Sequence, residues 1–197
     1  AGGCVPVFVV PTSPWSLRPP PTAVEAGVAA LLPYPAWLDY CAVGYILPEA
    51  FAQREVAAAA EASGHTLCER DIVKDDIYQI RAVTSAWIAR HDIDVVLITG
   101  GTGFSGRDST PEAMAPLFDK HIEGFGELFR QLSHTEIGSS TIQSRALGGF
   151  ANNTVIFCMP GSTGACRTAW EGVLKEQLDA DHRPCNFVGV LQTQADA

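Results

Sequence analysis

Two short apolar segments, residues 94–99 and 154–159, each lead through a loop of small residues into a helical pattern. A continuous apolar run of this length is typical of a β-strand that is covered on both faces. Strands that alternate with helices form βαβ units, so the sequence predicts an α/β fold with a mostly parallel sheet. If the two strands are neighbours, their loops flank one crevice at the edge of the sheet that holds the carboxyl ends of the strands. Open α/β sheets bind ligands at this edge.

The other elements follow from helix and strand patterns along the chain. Gly64 is placed to end the first helix, and Asp75 or Asp76 to begin the second. The predicted strands are 5–10, 43–47, 66–73, 94–99 and 154–159, and the predicted helices are 48–63, 76–91, 110–120, 123–133, 139–149 and 162–178.

The first fifty residues differ in composition from the rest of the chain. They contain nine of the thirteen prolines but only four charged side chains. They also lack a sustained period of 2 or 3.6 residues, which a strand or a helix would show. We therefore divide the chain into an atypical proline-rich segment, residues 1–50, and a domain that spans residues 51–197.

The net charge, the length of the apolar runs and the spacing of the cysteines and histidines argue against several classes of protein. A net charge of −9 disfavours binding to nucleic acid, which needs a basic surface. The apolar runs are too short to cross a bilayer, so we expect no membrane span. No basic and apolar leader opens the chain, which makes the cytoplasm the expected compartment. The six cysteines and five histidines show no metal-binding spacing, so we expect reduced, mostly buried thiols and no structural zinc.

The glycine-rich segment at residues 99–112, a loop that runs into the start of a helix, is the first candidate site. Its glycines let the backbone approach an anion closely, and the N–H groups of the loop and of the following helix favour phosphate. Thr110 is the expected N-cap of that helix, with Pro111 as its first residue. Arg107 can neutralise phosphate oxygens, and Asp108 can hold Mg²⁺ or accept a proton. The alternatives are a simple tight turn, and a capping or bracing role for Asp108.

Two further groups are predicted at the same edge of the sheet. The Pro-Gly-Ser loop at residues 160–162 leads from the second apolar strand into a helix, and its alternative role is a turn capped by Ser162. Asp75 and Asp76 follow a strand end and could complete a Mg²⁺ site with Asp108. The alternative for this pair is the N-cap of the next helix.

Two segments before the last apolar strand carry charged residues. Ser144 and Arg145 are candidates for a pterin or phosphate contact, and the alternative is a surface arginine. The Gly-Phe-Gly-Glu segment and the arginine within residues 124–130 are interpreted as structural. Phe125 and Phe129 are expected in the core.

These residues, taken in order, resemble the MoaB/MogA family of molybdenum cofactor biosynthesis proteins. The resemblance covers about residues 51–187, and residues 165–171 and 183–186 are similar to the MoaB branch in particular. A single motif would be weak evidence for the family, whereas several motifs in the same order are specific to it. The motifs are Leu97-Ile-Thr-Gly-Gly-Thr-Gly103, Arg107-Asp108, Thr110-Pro-Glu112, Pro116-Leu-Phe-Asp119, Gly124-Phe-Gly-Glu127 with Arg130, Ser144-Arg145 and Met159-Pro-Gly-Ser162.

The resemblance implies a three-layer α/β/α domain that binds molybdopterin. In active members, ATP and Mg²⁺ adenylylate the terminal phosphate of the pterin and give molybdopterin-AMP and pyrophosphate. Asp75 and Asp108 match the two functionally important carboxylates, which makes them the expected catalytic residues and Mg²⁺ ligands. The residues expected to bind molybdopterin or phosphate are Gly100, Gly101, Thr102, Gly103, Ser105, Arg107, Thr110, Ser144, Arg145, Pro160, Gly161 and Ser162.

The resemblance also implies small-molecule substrates and a homo-oligomer, either a trimer or a hexamer. The alternative function is a protein that binds or assembles molybdopterin without turnover. A nicotinamide-dependent dehydrogenase is disfavoured, because the Gly-x-Gly-x-x-Gly motif and the downstream ribose-binding acid are absent in the required spacing.

Residues 1–50 depart from the family pattern. Family members open with a strand of the type R-I-A-V-L-T-V-S, followed by an acidic loop that ends in D-x-S-G, and neither is present in this segment. The proline-rich and charge-poor composition suggests the hypothesis that the segment is translated from a shifted reading frame. The other two frames of the coding DNA test it, because the hypothesis requires one of them to encode such a strand and loop.

Overall fold

The computed structural model of the chain describes residues 4–9 and 48–195. The predicted strand at 43–47 lies outside these residues. The strands are β1 (Cys4–Val9), β2 (Glu69–Lys74), β3 (Val95–Thr99), β4 (Lys120–His121), β5 (Leu147–Ala151) and β6 (Thr154–Met159). The helices are α1 (Pro48–Ala62), α2 (Ile77–Ile88), α3 (Thr110–Met114), α4 (Glu123–Ile137), α5 (Thr163–Ala169), α6 (Lys175–Gln177) and α7 (Phe187–Ala195), with 3₁₀ turns at Ala115–Leu117 and Gly138–Gln143 and a π-helical turn at Trp170–Leu174.

Local sequence signals explain where the first helix ends and the second begins. Gly64, just after α1, has a φ of +88°, a left-handed conformation that glycine adopts without a steric penalty. Asp76 is the N-cap of α2, because its carboxylate accepts the backbone N–H groups of Tyr78 and Gln79, each at 3.0 Å. The single helix predicted over 162–178 is interrupted by the π-helical turn between α5 and α6.

The described strands form one sheet in the order β2-β1-β3-β6-β5-β4. Strands β3 and β6 pair in parallel, with Thr99 opposite Met159. The pairs β1–β2, β1–β3, β5–β6 and β4–β5 are antiparallel. The sheet is therefore mixed rather than mostly parallel, although the α/β fold class is confirmed. The carboxyl ends of β2, β3 and β6 and the start of β5 consequently meet at one edge.

Helices cover both faces of the sheet, which gives the expected three layers. On one face, Val95 and Leu97 of β3 pack in a core with Phe125 and Phe129 of α4. On the other face, Val96 and Ile98 pack with Ile80 and Trp87 of α2 and with Met114 of α3. Every residue of β3 and β6 is buried, as the two apolar runs predicted.

The predicted helix at 139–149 is wrong, because a 3₁₀ turn is followed there by strand β5. Two glycines in this strand allow close packing. A Cβ atom at Gly149 would overlap the ring of Phe118, so only glycine fits against that ring. Strand β5 then turns back into β6 at Asn152, which has a φ of +55°, so the two strands form a hairpin.

Cysteine exposure also differs from the expectation. Cys158 and Cys166 are buried, but Cys68 and Cys185 are exposed, and all four are free thiols. Burial raises the pKa of the Cys166 thiol to about 12, so this thiol stays protonated at neutral pH. Among the described residues, no helix has both the length and the apolarity of a transmembrane span.

Candidate functional site

The segment between β3 and α3, residues 100–109, forms a loop that we call the β3 loop. Gly100 and Gly101 have φ values of +101° and +63°, which favour glycine over any residue with a side chain. The hydroxyl of Thr110 donates to the Gly100 carbonyl at 2.9 Å, and its backbone N–H donates to the Gly101 carbonyl at 3.0 Å. Thr110 is therefore the first residue of α3 rather than its N-cap, and Ser109 occupies the cap position without a side-chain capping bond.

Asp108 closes the β3 loop from inside. Its Oδ2 accepts the backbone N–H of Ser105 at 2.7 Å, and its own N–H donates to the Ser105 carbonyl at 3.0 Å. A Cβ atom at Gly103 would lie 2.8 Å from Oδ2, so the absence of a side chain there makes room for the carboxylate. Among the described residues, no hydrogen bond is made to Oδ1 of Asp108. This carboxylate braces the loop with one oxygen and leaves the other available to a ligand.

The two aspartates after β2 take different roles. Asp76 caps α2, whereas Oδ1 of Asp75 accepts the Ser109 hydroxyl at 2.8 Å. Ser109 follows Asp108 directly, so this bond draws Asp75 towards the end of the β3 loop. The structure thus brings Asp75 and Asp108, which are 33 positions apart in the chain, to one edge of the sheet.

Arg145 braces the β3 loop from the outside. Its Nε donates to the Gly103 carbonyl at 2.8 Å, and its Nη2 donates to the Asp108 carbonyl at 3.1 Å. Its Nη1 forms an ion pair with Glu112. Its Cζ lies 5.0 Å from the centroid of the exposed Phe104 ring, a cation–π distance. The guanidinium is therefore engaged with the protein itself, and its main effect in this structure is to fix the loop.

Sequence reasoning missed two residues that hold the same segment. Ser109 connects the loop to Asp75, and Arg81 of α2 donates to the carbonyls of Glu112 and Ala113 at 2.8 and 3.1 Å. Ser109 lies in the predicted glycine-rich loop but has no role assigned there, and Arg81 belongs to no recognisable motif. The only signal for Arg81 is its place on α2, one turn after the N-cap Asp76, on the side that faces α3.

The second loop, residues 160–162, is called the β6 loop. Ser162 is the N-cap of α5, and its hydroxyl accepts the N–H of Ala165 at 3.3 Å. The Cys166 thiol donates to the Pro160 carbonyl at 3.4 Å. One hydrogen bond joins the starts of the two loops, from the N–H of Gly100 to the carbonyl of Met159 at 2.9 Å. The loops therefore flank one crevice, as neighbouring parallel strands require.

The remaining predicted residues lie around this crevice. Thr102 is buried, and its carbonyl accepts the N–H of Arg145 at 3.0 Å. The hydroxyl of Ser144 is buried and has no hydrogen-bond partner among the described residues. Ser105 and Arg107 are exposed at the tip of the β3 loop. The structure thus gathers the predicted residues at one edge, with Arg107 at its rim.

The carboxylates at this edge fit a divalent cation that is shared with a substrate. No cluster of three or more His, Cys, Asp or Glu side chains occurs in the described part of the chain. Mg²⁺ is commonly held by one or two carboxylates together with substrate phosphates and water. Asp75 and Asp108 each use one carboxylate oxygen to accept a hydrogen bond, from Ser109 and Ser105 respectively, and each keeps a second oxygen for a ligand. This donor set suits Mg²⁺ bound together with a phosphorylated ligand.

Comparisons with known proteins show the family of this chain. The family model of the probable molybdopterin binding domain matches residues 52–180. Molybdenum cofactor biosynthesis protein B of Escherichia coli K12 is 60% identical over 129 residues, which are 66% of this chain and 76% of that protein. The protein of the same name from Bacillus anthracis is 49% identical over 117 residues, 59% of this chain and 69% of that protein.

Solved structures show the same likeness. A crystal structure of molybdenum cofactor biosynthesis protein B superposes with a TM-score of 0.55 at 40% identity, over 62% of this chain and 71% of that one. The molybdopterin biosynthesis enzyme MoaB of Thermus thermophilus superposes with a TM-score of 0.50 at 30% identity, over 62% of this chain and 70% of that one. The family match, these identities and the paired loops lead to one conclusion: this chain belongs to the molybdopterin-binding domain family of the MoaB and MogA proteins.

Proposed function

We propose that this protein, as a member of a molybdenum cofactor biosynthesis family, transfers the adenylyl group of ATP to molybdopterin. The observation that supports this most is the joint placement of Asp75 and Asp108. The two carboxylates lie on either side of Ser109, at the end of a glycine loop whose conformation suits phosphate. A reaction between two phosphorylated substrates needs such a combination of anion-binding backbone and cation-binding carboxylates.

In the proposed reaction, an oxygen of the terminal phosphate of molybdopterin attacks the α-phosphorus of ATP. The new P–O bond gives molybdopterin-AMP, and the bond to the β-phosphate breaks to release pyrophosphate. Phosphoryl and adenylyl transfer depend on positioning and on charge neutralisation more than on covalent help from the protein. Mg²⁺, when bound, neutralises the phosphate oxygens and orients the leaving pyrophosphate.

The residues of this chain have separate roles in the proposal. Asp75 and Asp108 would hold Mg²⁺ through their available oxygens. The β3 loop would offer N–H groups to a phosphate, and Arg145 would keep that loop in its binding conformation. The β6 loop would form the opposite wall of the crevice, with the N-terminus of α5 at its end.

The cellular setting is part of the same proposal. We expect the protein to act in the cytoplasm as a homo-oligomer, a trimer or a hexamer, on small-molecule substrates. The acidic net charge of −9 supports the absence of a nucleic-acid partner.

The test is an incubation of the purified full chain with molybdopterin, ATP and Mg²⁺, followed by chromatography of molybdopterin-AMP and pyrophosphate. The informative variant is Asp108→Asn, which keeps the shape of the side chain but removes its charge. The matched control is Asp181→Asn, because Asp181 is exposed in the turn before α7 and belongs to neither loop. We expect product from the native chain and the control, and at least a roughly 100-fold slower rate from Asp108→Asn. Equal rates for all three would contradict the role of Asp108.

The second candidate function is binding of molybdopterin without turnover. It is favoured by one observation: the family match covers residues 52–180 and does not extend into the first fifty residues. Tight binding of molybdopterin with no adenylylated product would select this function.

A further inference from the structure

Ser109 occupies the cap position of α3 but does not cap this helix. A serine in this position normally accepts the backbone N–H of the second or third residue after it, as Ser162 does at the start of α5. At α3 the second residue after Ser109 is Pro111, which has no N–H to offer. The N–H of Thr110 is already used, because it donates to the Gly101 carbonyl at 3.0 Å. The Ser109 hydroxyl is therefore available for a contact outside the helix.

This hydroxyl donates to Asp75. The distance from the hydroxyl oxygen to Oδ1 of Asp75 is 2.8 Å, and Ser109 is the only donor to this carboxylate among residues 4–9 and 48–195. The adjacent Asp76 is occupied as the cap of α2, where its carboxylate accepts two backbone N–H groups. The two aspartates after β2 are thus held differently: Asp76 by its own helix, and Asp75 by the segment that carries Asp108.

A second contact holds the Ser109 segment in place against α2. Arg81 of α2 donates to the carbonyls of Glu112 and Ala113 at 2.8 and 3.1 Å, close to the last residue of α3. Helix α3 is therefore tied to the β2–α2 segment at both of its ends. Ser109 is consequently presented to Asp75 from a fixed position, which does not depend on the exposed tip of the β3 loop.

We propose that Ser109 is a positioning residue for the divalent cation of the proposed function, on which this inference rests. Its hydrogen bond engages Oδ1 of Asp75 and fixes the rotation of the carboxylate, so that Oδ2 keeps one direction. Asp108 braces the β3 loop through Oδ2 and leaves Oδ1 to a ligand. Less conformational entropy is then lost when a cation binds, because the Asp75 side chain is already ordered.

The type of donor also suits this role. A hydroxyl is neutral, so it orients the carboxylate and leaves the negative charge of Asp75 available to a cation. A lysine or an arginine in the place of Ser109 would bring a positive charge, which repels a cation. The hydrogen bond of Ser109 therefore orders a ligand of the cation without competing with the cation itself.

The test is a titration of the full chain with Mn²⁺ alone, in which the electron paramagnetic resonance signal measures the free ion. Mn²⁺ prefers the same oxygen ligands as Mg²⁺, and Asp108→Asn defines the binding that occurs outside the site. Ser109→Ala should weaken binding at the site about 10-fold, because loss of a group that orients a metal ligand typically costs about 10- to 100-fold in affinity. Ser109→Thr keeps the hydroxyl and should bind Mn²⁺ as the native chain does. Ser85→Ala, at an exposed position on α2, is the matched control and should leave binding unchanged.

A double-mutant cycle separates positioning from a purely structural role. Asp75→Asn should weaken Mn²⁺ binding by itself. Addition of Ser109→Ala to Asp75→Asn should cause no further loss, because Ser109 acts only through Asp75. Thermal unfolding of each variant checks that the fold is intact. A lower melting temperature of Ser109→Ala with unchanged Mn²⁺ affinity would show that the hydrogen bond serves the fold alone and would overturn the proposal.

Other results would also overturn it. These are equal Mn²⁺ affinity in Ser109→Ala and the native chain, and binding by the native chain that is no stronger than by Asp108→Asn. A loss in Ser109→Thr as large as in Ser109→Ala would assign the effect to the shape of the side chain rather than to the hydroxyl. Additive losses in the double variant would show that Ser109 does not act through Asp75.

The same titration distinguishes this inference from the proposed function. Mn²⁺ binding that depends on Ser109, without formation of molybdopterin-AMP, would uphold the positioning role while the proposed function fails. Formation of molybdopterin-AMP, with no effect of Ser109→Ala on Mn²⁺ binding, would do the reverse.

Discussion

The β3 loop and the β6 loop leave neighbouring parallel strands and share a hydrogen bond, yet they are held in different ways. The β3 loop is braced by side chains from other segments, with Arg145 on its carbonyls and Asp75 on Ser109. The β6 loop is held by its own helix, through the Ser162 cap and the Cys166 thiol. Loops of similar composition at one edge therefore differ in what fixes their shape.

This difference indicates a division of tasks. A loop that must present a carboxylate and several N–H groups to phosphate needs a conformation fixed before the ligand arrives, because flexibility would cost binding energy. Long-range contacts supply that rigidity to the β3 loop. The β6 loop only has to begin a helix and border the crevice, and a local cap suffices for both.

Loss of the Arg145 side chain should destabilise the protein more than any single change within the two loops. Arg145→Ala removes an ion pair to Glu112, two hydrogen bonds to loop carbonyls and the contact with Phe104. We expect the free energy of unfolding to fall by about 2–3 kcal/mol, measured by urea denaturation. Arg145→Lys keeps the charge but cannot make all these bonds, so it should lie between Ala and the native chain. A change below about 0.5 kcal/mol for Arg145→Ala would refute the bracing role.

Glycine-to-alanine substitutions should have opposite signs in the two regions. Gly101→Ala forces a side chain into a φ of +63° and should destabilise the protein by about 1–2 kcal/mol. Gly164→Ala, in the first turn of α5 after the β6 loop, meets nothing within 4 Å of its new Cβ. It should stabilise the protein by about 0.5–1 kcal/mol, because alanine is the better helix former. Thermal unfolding of both variants measures these changes in stability. A change of the same sign in both variants would contradict the prediction.

The sequence predicted the parts of this site that depend on local pattern. The apolar runs located β3 and β6, and the glycines and Ser162 located both loops. The sequence could not show whether Asp75 or Asp76 is the N-cap of α2, because either residue lies close enough to the start of the helix to cap it. The choice depends on Ser109, which approaches Asp75 only after the chain has folded.

Strand β5 shows where the local pattern was interpreted wrongly. A helix is expected over residues 139–149, although the adjacent glycines at 148 and 149 weaken any helix and the two asparagines at 152 and 153 are typical of a hairpin turn. Those signals favour the observed β5–β6 hairpin. The packing of Phe118 against Gly149, in contrast, is a tertiary contact that no local pattern contains.

Removal of the Ser162 cap should have a smaller effect than Arg145→Ala or Gly101→Ala. Ser162→Ala loses one hydrogen bond to the N–H of Ala165, and a lost N-cap typically costs about 1 kcal/mol. Ser162→Asp restores an acceptor and should recover most of that loss. Urea denaturation of Ser162→Ala and Ser162→Asp measures the loss of stability and its recovery. A loss as large as that of Arg145→Ala would mean that the β6 loop is not held by a local cap alone.

The smallest expected effect is a change in pH dependence at Glu112. Partial burial opposes ionisation of this residue, but the hydrogen bond and charge of Arg145 outweigh it, so the pKa of Glu112 lies below its ordinary value of 4.5. A carboxyl group whose pKa is lowered by folding adds stability above its unfolded pKa, and this stability is lost as the pH falls through the folded value. Glu112→Gln should therefore be less stable than the native chain at pH 7, by less than about 1 kcal/mol because the pair is partly exposed. The difference should shrink as the pH falls below about 4.5, as measured by urea denaturation at about pH 7, 5 and 3. A difference that stays constant across this range would show that Arg145 braces the loop through its carbonyl bonds alone, without help from the charge of Glu112.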